Sequence, residues 1–85
     1  MTTVYYITYK VRKSNGVRCW YNTGEYKNME EARERYESEM RRSNVVEMEM
    51  IQKDHYEASE LVPELAKRQP WGADSFRTLR RYDRI

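Results

Sequence analysis

Residues 3–26 decide the fold, and they read Thr-Val-Tyr-Tyr-Ile-Thr-Tyr-Lys-Val-Arg-Lys-Ser-Asn-Gly-Val-Arg-Cys-Trp-Tyr-Asn-Thr-Gly-Glu-Tyr. β-Branched and aromatic residues alternate with polar ones on both sides of the Asn15-Gly16 pair. This combination is typical of a β-hairpin, because Asn-Gly accepts the positive φ angles of a tight turn. We therefore predict two antiparallel strands joined at this pair.

Two registers of the hairpin fit the sequence. A two-residue turn at 15–16 places Tyr9 opposite Asn22, whereas a three-residue loop at 14–16, with Gly16 left-handed, places Tyr9 opposite Tyr21. We prefer the second register because it avoids burying the polar Asn22. One face then carries Tyr5, Ile7, Tyr9, Val11, Val17, Cys19 and Tyr21. The other face carries Tyr6, Thr8, Lys10, Arg12, Arg18 and Trp20.

A helix over about residues 29–43 follows the hairpin. Asn28 and Glu31 have the spacing of a capping box, and Glu31 with Arg35 forms one of the favourably oriented i,i+4 ion pairs. A narrow apolar stripe at three- and four-residue spacing predicts the face that packs on the sheet: Met29, Ala32, Tyr36 and Met40.

Residues 45–53 resume strict alternation and predict a third strand, with Glu47 and Glu49 on its solvent side. A right-handed crossover then places this strand beside the first, in sheet order 2-1-3. The expected fold is α+β: a half-ferredoxin-like ββαβ unit with one helix packed on a three-stranded antiparallel sheet. We expect Tyr9 and Tyr36 both to be largely buried in a core that also contains Tyr5, Ile7, Val46, Met48 and Met50.

Residues 54–85 are expected to form a short helical extension of a single domain whose core is residues 1–53. Asp54 could cap a helix to about Leu61, and Asp74 or Ser75 could cap another to about Tyr82. The second helix would have one apolar face with Phe76, Leu79 and Tyr82. Four arginines fall at i, i+3, i+4 and i+7 and define one basic face turned away from it: Arg77, Arg80, Arg81 and Arg84.

Charge is unevenly distributed although the net charge is only +2. Residues 1–44 carry nine Lys/Arg and six Asp/Glu, residues 45–66 carry one and six, and residues 67–85 carry six and two, giving sums of +3, −5 and +4. The sequence shows no signal region, long apolar run or lipidation motif, so we expect a cytoplasmic protein without membrane contact.

The sequence offers little for catalysis. A nucleophile pair requires the single Cys19 to meet the single His55, and a zinc site needs more ligands than these two residues supply. A hard cation could bind Glu47, Glu49 and Asp54, but a solvated strand face explains those carboxylates more simply. We expect no enzyme activity, no cofactor and no metal site.

Binding is the better-supported class of function. We predict that the partner contacts arginine and tryptophan side chains, which are enriched in interface hot spots: Arg18, Trp20, Trp71, Arg77, Arg80, Arg81 and Arg84. Two purely structural interpretations of the same side chains compete with this prediction. The C-terminal segment could cover the aromatic outer face of the hairpin, and the arginine stripe could pair internally with Asp54, Glu57, Glu60 and Glu64.

The run Tyr-Ile-Thr-Tyr-Lys-Val, an Asn-Gly turn and then Gly-Glu-Tyr-Lys-Asn-Met-Glu-Glu-Ala resembles the arm-type DNA-binding domains of phage integrases over roughly residues 4–42. The third strand departs from that pattern. The short, charged, tyrosine-rich chain also resembles small accessory proteins of phages and mobile elements, among them anti-CRISPR inhibitors. These resemblances imply a non-enzymatic inhibitor that occludes a larger protein or nucleoprotein, with direct nucleic-acid binding as the alternative. An open sheet edge also allows a homodimer.

Overall fold

The computed structural model describes residues 1–84, which form a four-stranded antiparallel sheet with one main helix. Its elements are β1 (Thr2–Arg12), β2 (Arg18–Asn22), α1 (Met29–Met40), β3 (Val45–Tyr56), a 3-10 turn (Ala58–Glu60), α2 (Pro63–Arg68) and β4 (Ala73–Asp83). The strand order is β2-β1-β3-β4. The α+β class and the 2-1-3 arrangement are therefore confirmed, and a fourth strand extends the sheet beyond β3.

The hairpin adopts the register that the three-residue loop predicts. Tyr9 pairs with Tyr21 and Val11 pairs with Cys19. Gly16 has φ of 86°, and its N–H donates to the Lys13 carbonyl at 2.9 Å. A left-handed residue at this position costs little only for glycine, which explains why the turn and the register agree with the sequence.

Helix α1 begins where its cap predicts and ends three residues early. The Asn28 Oδ1 accepts a hydrogen bond from the Glu30 N–H at 2.7 Å, which satisfies one of the free donors of the first turn. Ala32 and Tyr36 are fully buried and Met40 is partly buried against the core. Met29, in the first turn, is 45% exposed and was wrongly assigned to the core.

The core lies between α1 and one face of the sheet. Its buried members are Ile7, Val11, Ala32, Tyr36, Val45, Met48 and Met50, and Tyr5, Tyr9, Tyr26, Met40, Leu79 and Tyr82 pack around them. Tyr36 is thus buried as predicted, whereas Tyr9 is only half-buried. A bulge opposite Lys10 and Val11 inserts one residue into β3, so Val45 joins this cluster in place of Val46.

Strand β4 corrects the prediction of a C-terminal helix. Residues 73–83 pair antiparallel with β3 from Tyr56↔Ala73 to Glu47↔Asp83. The register shifts between Met50 and Ile51, which leaves Leu79 as the extra residue of a bulge. Only the 3-10 turn and α2 remain of the helical extension.

The molecule is long and thin. Its principal extents are 51 × 27 × 19 Å and its radius of gyration is 16.1 Å. A helix of the length of α1 spans about 18 Å, while strands of 11 residues span about 36 Å, so α1 covers only half of one sheet face. The opposite face has no covering helix or strand among residues 1–84.

Candidate protein-binding surface

We define the open face as the sheet face opposite α1. Alternation along each strand and the observed pairings assign its residues, because the core residues Ile7, Met48 and Met50 fix the other face. Its apolar members are Val4, Tyr6, Trp20, Ile51 and Phe76. Neither short C-terminal helix packs over this face, so the predicted cover by the C-terminal segment is wrong: that segment joins the sheet as β4 instead.

Two large aromatic side chains are exposed on the open face. Trp20 is 53% exposed on β2, and Phe76 is 59% exposed on β4. Lys10, the β1 partner of Trp20, places its ammonium 5.0 Å from the centroid of the indole ring. This contact fits a cation–π interaction and holds the Trp20 ring against the sheet while leaving half of its surface free to contact a partner.

Most of the charged side chains of the open face are paired within the chain. Lys10 Nζ lies 3.1 Å from Glu47 Oε2, and Arg81 Nη2 lies 2.6 Å from Glu49 Oε1. The hydrogen bond from Lys10 is the main cause that lowers the pKa of the Glu47 carboxyl below its usual value. The hydrogen bond to Glu49 likewise raises the pKa of the Arg81 guanidinium. The centre of the face is therefore close to neutral, with apolar groups between matched charges.

At the end of the open face away from the hairpin turn, apolar groups again lie beside paired charges. Lys53 Nζ donates to Glu25 Oε2 at 2.9 Å, and this contact raises the pKa of the Lys53 ammonium. The two residues line a shallow depression together with Tyr6 and Phe76. An aromatic floor beside a satisfied ion pair can accept apolar groups at the centre and polar groups at the rim, as protein interfaces do.

The residues predicted as one binding surface are separated by the fold. Trp20, Arg18 and Arg81 lie on the open face. Arg77 and Arg80 pair with Gln52 and Met50 and so lie on the α1 side of β4. Trp71 is 72% exposed in the loop before β4. The single basic helical face does not exist, because a strand sends neighbouring side chains to opposite sides.

Arg80 and Arg84 make structural contacts. The Arg80 guanidinium lies 4.7 Å from the Tyr36 ring centroid, over the buried aromatic of α1. Arg84 donates to the carbonyls of Ser43 and Met40 at 2.8 and 3.1 Å, at the C-terminal end of α1. Cations are favourable there because carbonyl groups at a helix end lack partners and carry partial negative charge.

The alternative, in which the arginine stripe pairs internally with the acidic segment, holds only in part. Besides a hydrogen bond from Thr3, the charge of Arg77 helps to lower the pKa of the Asp54 carboxyl, but no salt bridge joins Arg77 and Asp54 within the range 1–84. The salt bridges of Arg80 and Arg81 go to Glu37 and Glu49. Asp54 instead accepts hydrogen bonds from Thr3 and Gln52, which lower the pKa of its carboxyl, and Glu60 pairs with the N-terminal amine.

The fold separates the two residues that could have formed a nucleophile pair. Cys19 lies opposite Val11, and His55 lies opposite Thr2 at the other end of β1. Nine residues of extended chain place these two positions about 30 Å apart. His55 Nδ1 is hydrogen-bonded to Asp74 Oδ1 at 2.7 Å. Within residues 1–84 no three acidic, histidine or cysteine side chains cluster as metal ligands would.

Sequence reasoning missed Phe76 as a surface residue. It was assigned to the apolar face of a helix with Leu79 and Tyr82, whereas those two residues reach the core and Phe76 faces the open side. The available signal was the alternation Ser75-Phe76-Arg77-Thr78, which is too short to indicate a strand by itself.

No protein-family model, curated protein or solved structure matches the chain. None of the helices described in residues 1–84 is long and apolar enough to cross a membrane.

Proposed function

We propose that this chain is a small non-enzymatic binding protein, an inhibitor that uses the open face of its sheet to cover a surface of a larger protein. The observation that carries the proposal is the uncovered sheet face with Trp20 and Phe76 exposed between internally paired charges. Exposed aromatic groups of this size are the usual anchors of protein interfaces.

The size of the open face fits such an interface. Three strands about 36 Å long and one about 16 Å long, spaced about 4.8 Å apart, present roughly 600 Å². A stable protein complex buries about 800 Å² on each partner. The face alone therefore approaches the area that a specific complex needs.

A different protein suits the open face better than a second copy of this chain. Trp20 lies on β2 near the hairpin turn, and Phe76 lies near the start of β4, so the two aromatics occupy opposite edges and opposite ends of the sheet. A two-fold axis along or across the strands would place each ring against charged or polar groups of the second copy, and only an oblique axis would bring Trp20 of one copy against Phe76 of the other. The fitting partner is a protein surface with two separate apolar depressions and a mixed polar rim.

The test compares capture by wild-type protein and by a Trp20→Ser/Phe76→Ser variant. A protein captured from the native host by the immobilised wild type is identified by mass spectrometry and purified, and its Kd for each variant is then measured. The complex would bury both aromatic side chains as anchors. Removing them should weaken binding at least 100-fold, since each hot-spot residue contributes roughly 2 kcal/mol or more.

The matched control is Val62→Ser/Leu65→Ser, which removes two exposed apolar side chains away from the sheet, one from the residue that caps α2 and one from α2 itself. This control should bind like wild type, and all variants should keep their melting temperature. Equal affinity of the aromatic variant and the wild type would overturn the proposal. So would a wild-type dimer that the aromatic variant converts to monomer, because the face would then bind a second copy.

A further inference from the structure

One end of the elongated molecule collects basic side chains from three separate segments. We define the basic end by the residues at the hairpin turn, the α1–β3 loop and the end of β4: Arg12, Lys13, Arg18, Arg41, Arg42 and Arg84. The main-chain hydrogen bonds Arg12 N–H to Asn44 O and Arg84 N–H to Val46 O, both 2.8 Å, join these segments. Residues that are 72 positions apart in the chain therefore share one end of the sheet.

Two of these cations are engaged within the protein and four are not. Arg42 pairs with Glu39, and Arg84 binds main-chain carbonyls. Arg12, Lys13, Arg18 and Arg41 are all exposed and form no salt bridge with any residue in the range 1–84. Besides the hydrogen bond from Lys10, the charge of Arg18 contributes to the lowered pKa of the Glu47 carboxyl, but Glu47 is already paired with Lys10, so this end keeps an excess of positive charge. Such an excess creates a positive potential that attracts an anionic partner.

Two of these four cations, Arg12 and Lys13, have polar surroundings. A shallow groove runs between the hairpin turn and the α1–β3 loop, and Ser14, Ser43 and Asn44 lie along it. The one large apolar side chain exposed at the turn is Val17. Hydroxyl and amide groups beside arginine are typical of contacts to phosphate oxygens, and arginine can bind a phosphate through two parallel N–H groups.

We propose that the basic end binds the sugar–phosphate backbone of a nucleic acid. An acidic protein is the weaker fit, because protein interfaces depend on buried aromatic or aliphatic anchors, and the aromatic ring that borders this end, Trp20, belongs to the open face, where Lys10 lies over it. Nucleic-acid interfaces are polar and strongly positive. The basic end adjoins the open face through Arg12 and Arg18, so a nucleoprotein target could contact both.

The test measures fluorescence anisotropy of labelled duplex DNA and duplex RNA of random sequence, titrated with the full chain between 50 and 200 mM NaCl. Four phosphate contacts predict a log–log salt slope of about −3.6 for DNA, which is about a 150-fold loss of affinity over this range. The DNA and RNA arms establish which backbone is preferred.

Two triple variants with the same loss of charge locate the site. Arg12→Gln/Arg18→Gln/Arg41→Gln should reduce the slope to about −1. Lys27→Gln/Lys67→Gln/Arg68→Gln removes three exposed cations elsewhere and should change it little. Trp20→Ser/Phe76→Ser should retain nucleic-acid binding even where it loses the protein partner, so the two proposals fail separately.

Three outcomes would overturn the inference. The first is a wild-type protein that shows no binding to either duplex at 50 mM NaCl. The second is an equal loss in both triple variants, which would indicate a response to net charge alone. The third is an oligoglutamate of matched charge that competes as well as the duplexes, which would assign the basic end to an acidic protein.

Discussion

At the scale of single residues, Tyr36 shows how a small core depends on one side chain. It is the largest of the fully buried residues, and Arg80 covers its ring on the outer side. Its hydroxyl is buried without a hydrogen-bond partner among residues 1–84. An unsatisfied buried hydroxyl costs free energy, so Tyr36 combines a large favourable contribution from its ring with an unfavourable one from its oxygen.

These two contributions can be separated by two substitutions. Tyr36→Ala should lower the free energy of unfolding by about 3 to 5 kcal/mol, because it leaves a cavity beneath the sheet. Tyr36→Phe keeps the ring and removes the oxygen, and it should raise the free energy of unfolding by about 1 kcal/mol. Urea denaturation followed by tryptophan fluorescence measures both changes. A destabilising Tyr36→Phe would mean that the hydroxyl has a favourable partner.

Tyr9 is less buried than the sequence predicted. Its ring is half-buried and stacks on that of Tyr21, with centroids 5.7 Å apart at the rim of the core. The sequence identified its face and its cross-strand neighbour correctly. It could not reveal that the ring lies at the rim of the core, since this depends on where α1 packs across the sheet.

At the scale of elements, β4 is where sequence reasoning failed. Leu79 and Tyr82 both pack against the core although they are three positions apart, which is helical spacing. The bulge at Leu79 produces this spacing in a strand, because one extra residue shifts the alternation of side chains. The bulge is a property of the pairing between two strands, so neither strand's sequence indicates it alone.

The hairpin and α1 were predictable because their signals are local. Asn15-Gly16 fixes the turn, and Asn28 fixes the start of the helix. The open face was only half predictable: Trp20 follows from the hairpin register, whereas Phe76 depends on β4. The basic end was not predictable, since it requires knowing that Arg12, Arg41 and Arg84 meet at one end of the sheet.

Two matched alanine substitutions on β4 test which face of this strand packs on the core. Leu79→Ala should lower the free energy of unfolding by about 2 kcal/mol, because it removes a partly buried side chain from the core. Phe76→Ala should change it by less than about 0.5 kcal/mol, since the ring is 59% exposed. The helix prediction would have placed both on one packed face. Similar losses for the two variants in thermal and urea denaturation would argue against the bulged strand.

At the scale of the whole molecule, the ionised groups determine the pH range over which the fold is most stable. The pKa values of the Glu47, Asp54 and Glu60 carboxyls are lowered by hydrogen bonds from Lys10, Thr3 and the N-terminal amine. A lowered folded-state pKa gives stability that is present above the unfolded value, about 4, and is lost as the pH falls through the folded value. Acid should therefore destabilise the fold below about pH 4.

At alkaline pH the change of stability with pH has the opposite sign. The pKa of the Lys53 ammonium is raised by Glu25, and that of the Tyr36 phenol is raised by burial. Stability from raised pKa values is complete below the unfolded values, about 10, and is lost as the pH rises through the folded ones. Urea midpoints should thus form a plateau between about pH 5 and 9. Asp54→Asn should flatten the acid limb, and an unchanged acid limb would contradict the role of its hydrogen bonds.

The elongated shape has a practical effect on how the mass of this protein is measured. A compact chain of this length has a radius of gyration of about 12 Å, compared with 16.1 Å here. Friction in solution depends on shape as well as mass, so a monomer should elute early from a sizing column, where a compact dimer would elute. A retention volume cannot then distinguish a slender monomer from a self-associated pair. Sedimentation equilibrium, which does not depend on friction, should give the monomer mass of 10.4 kDa for this rod-like particle.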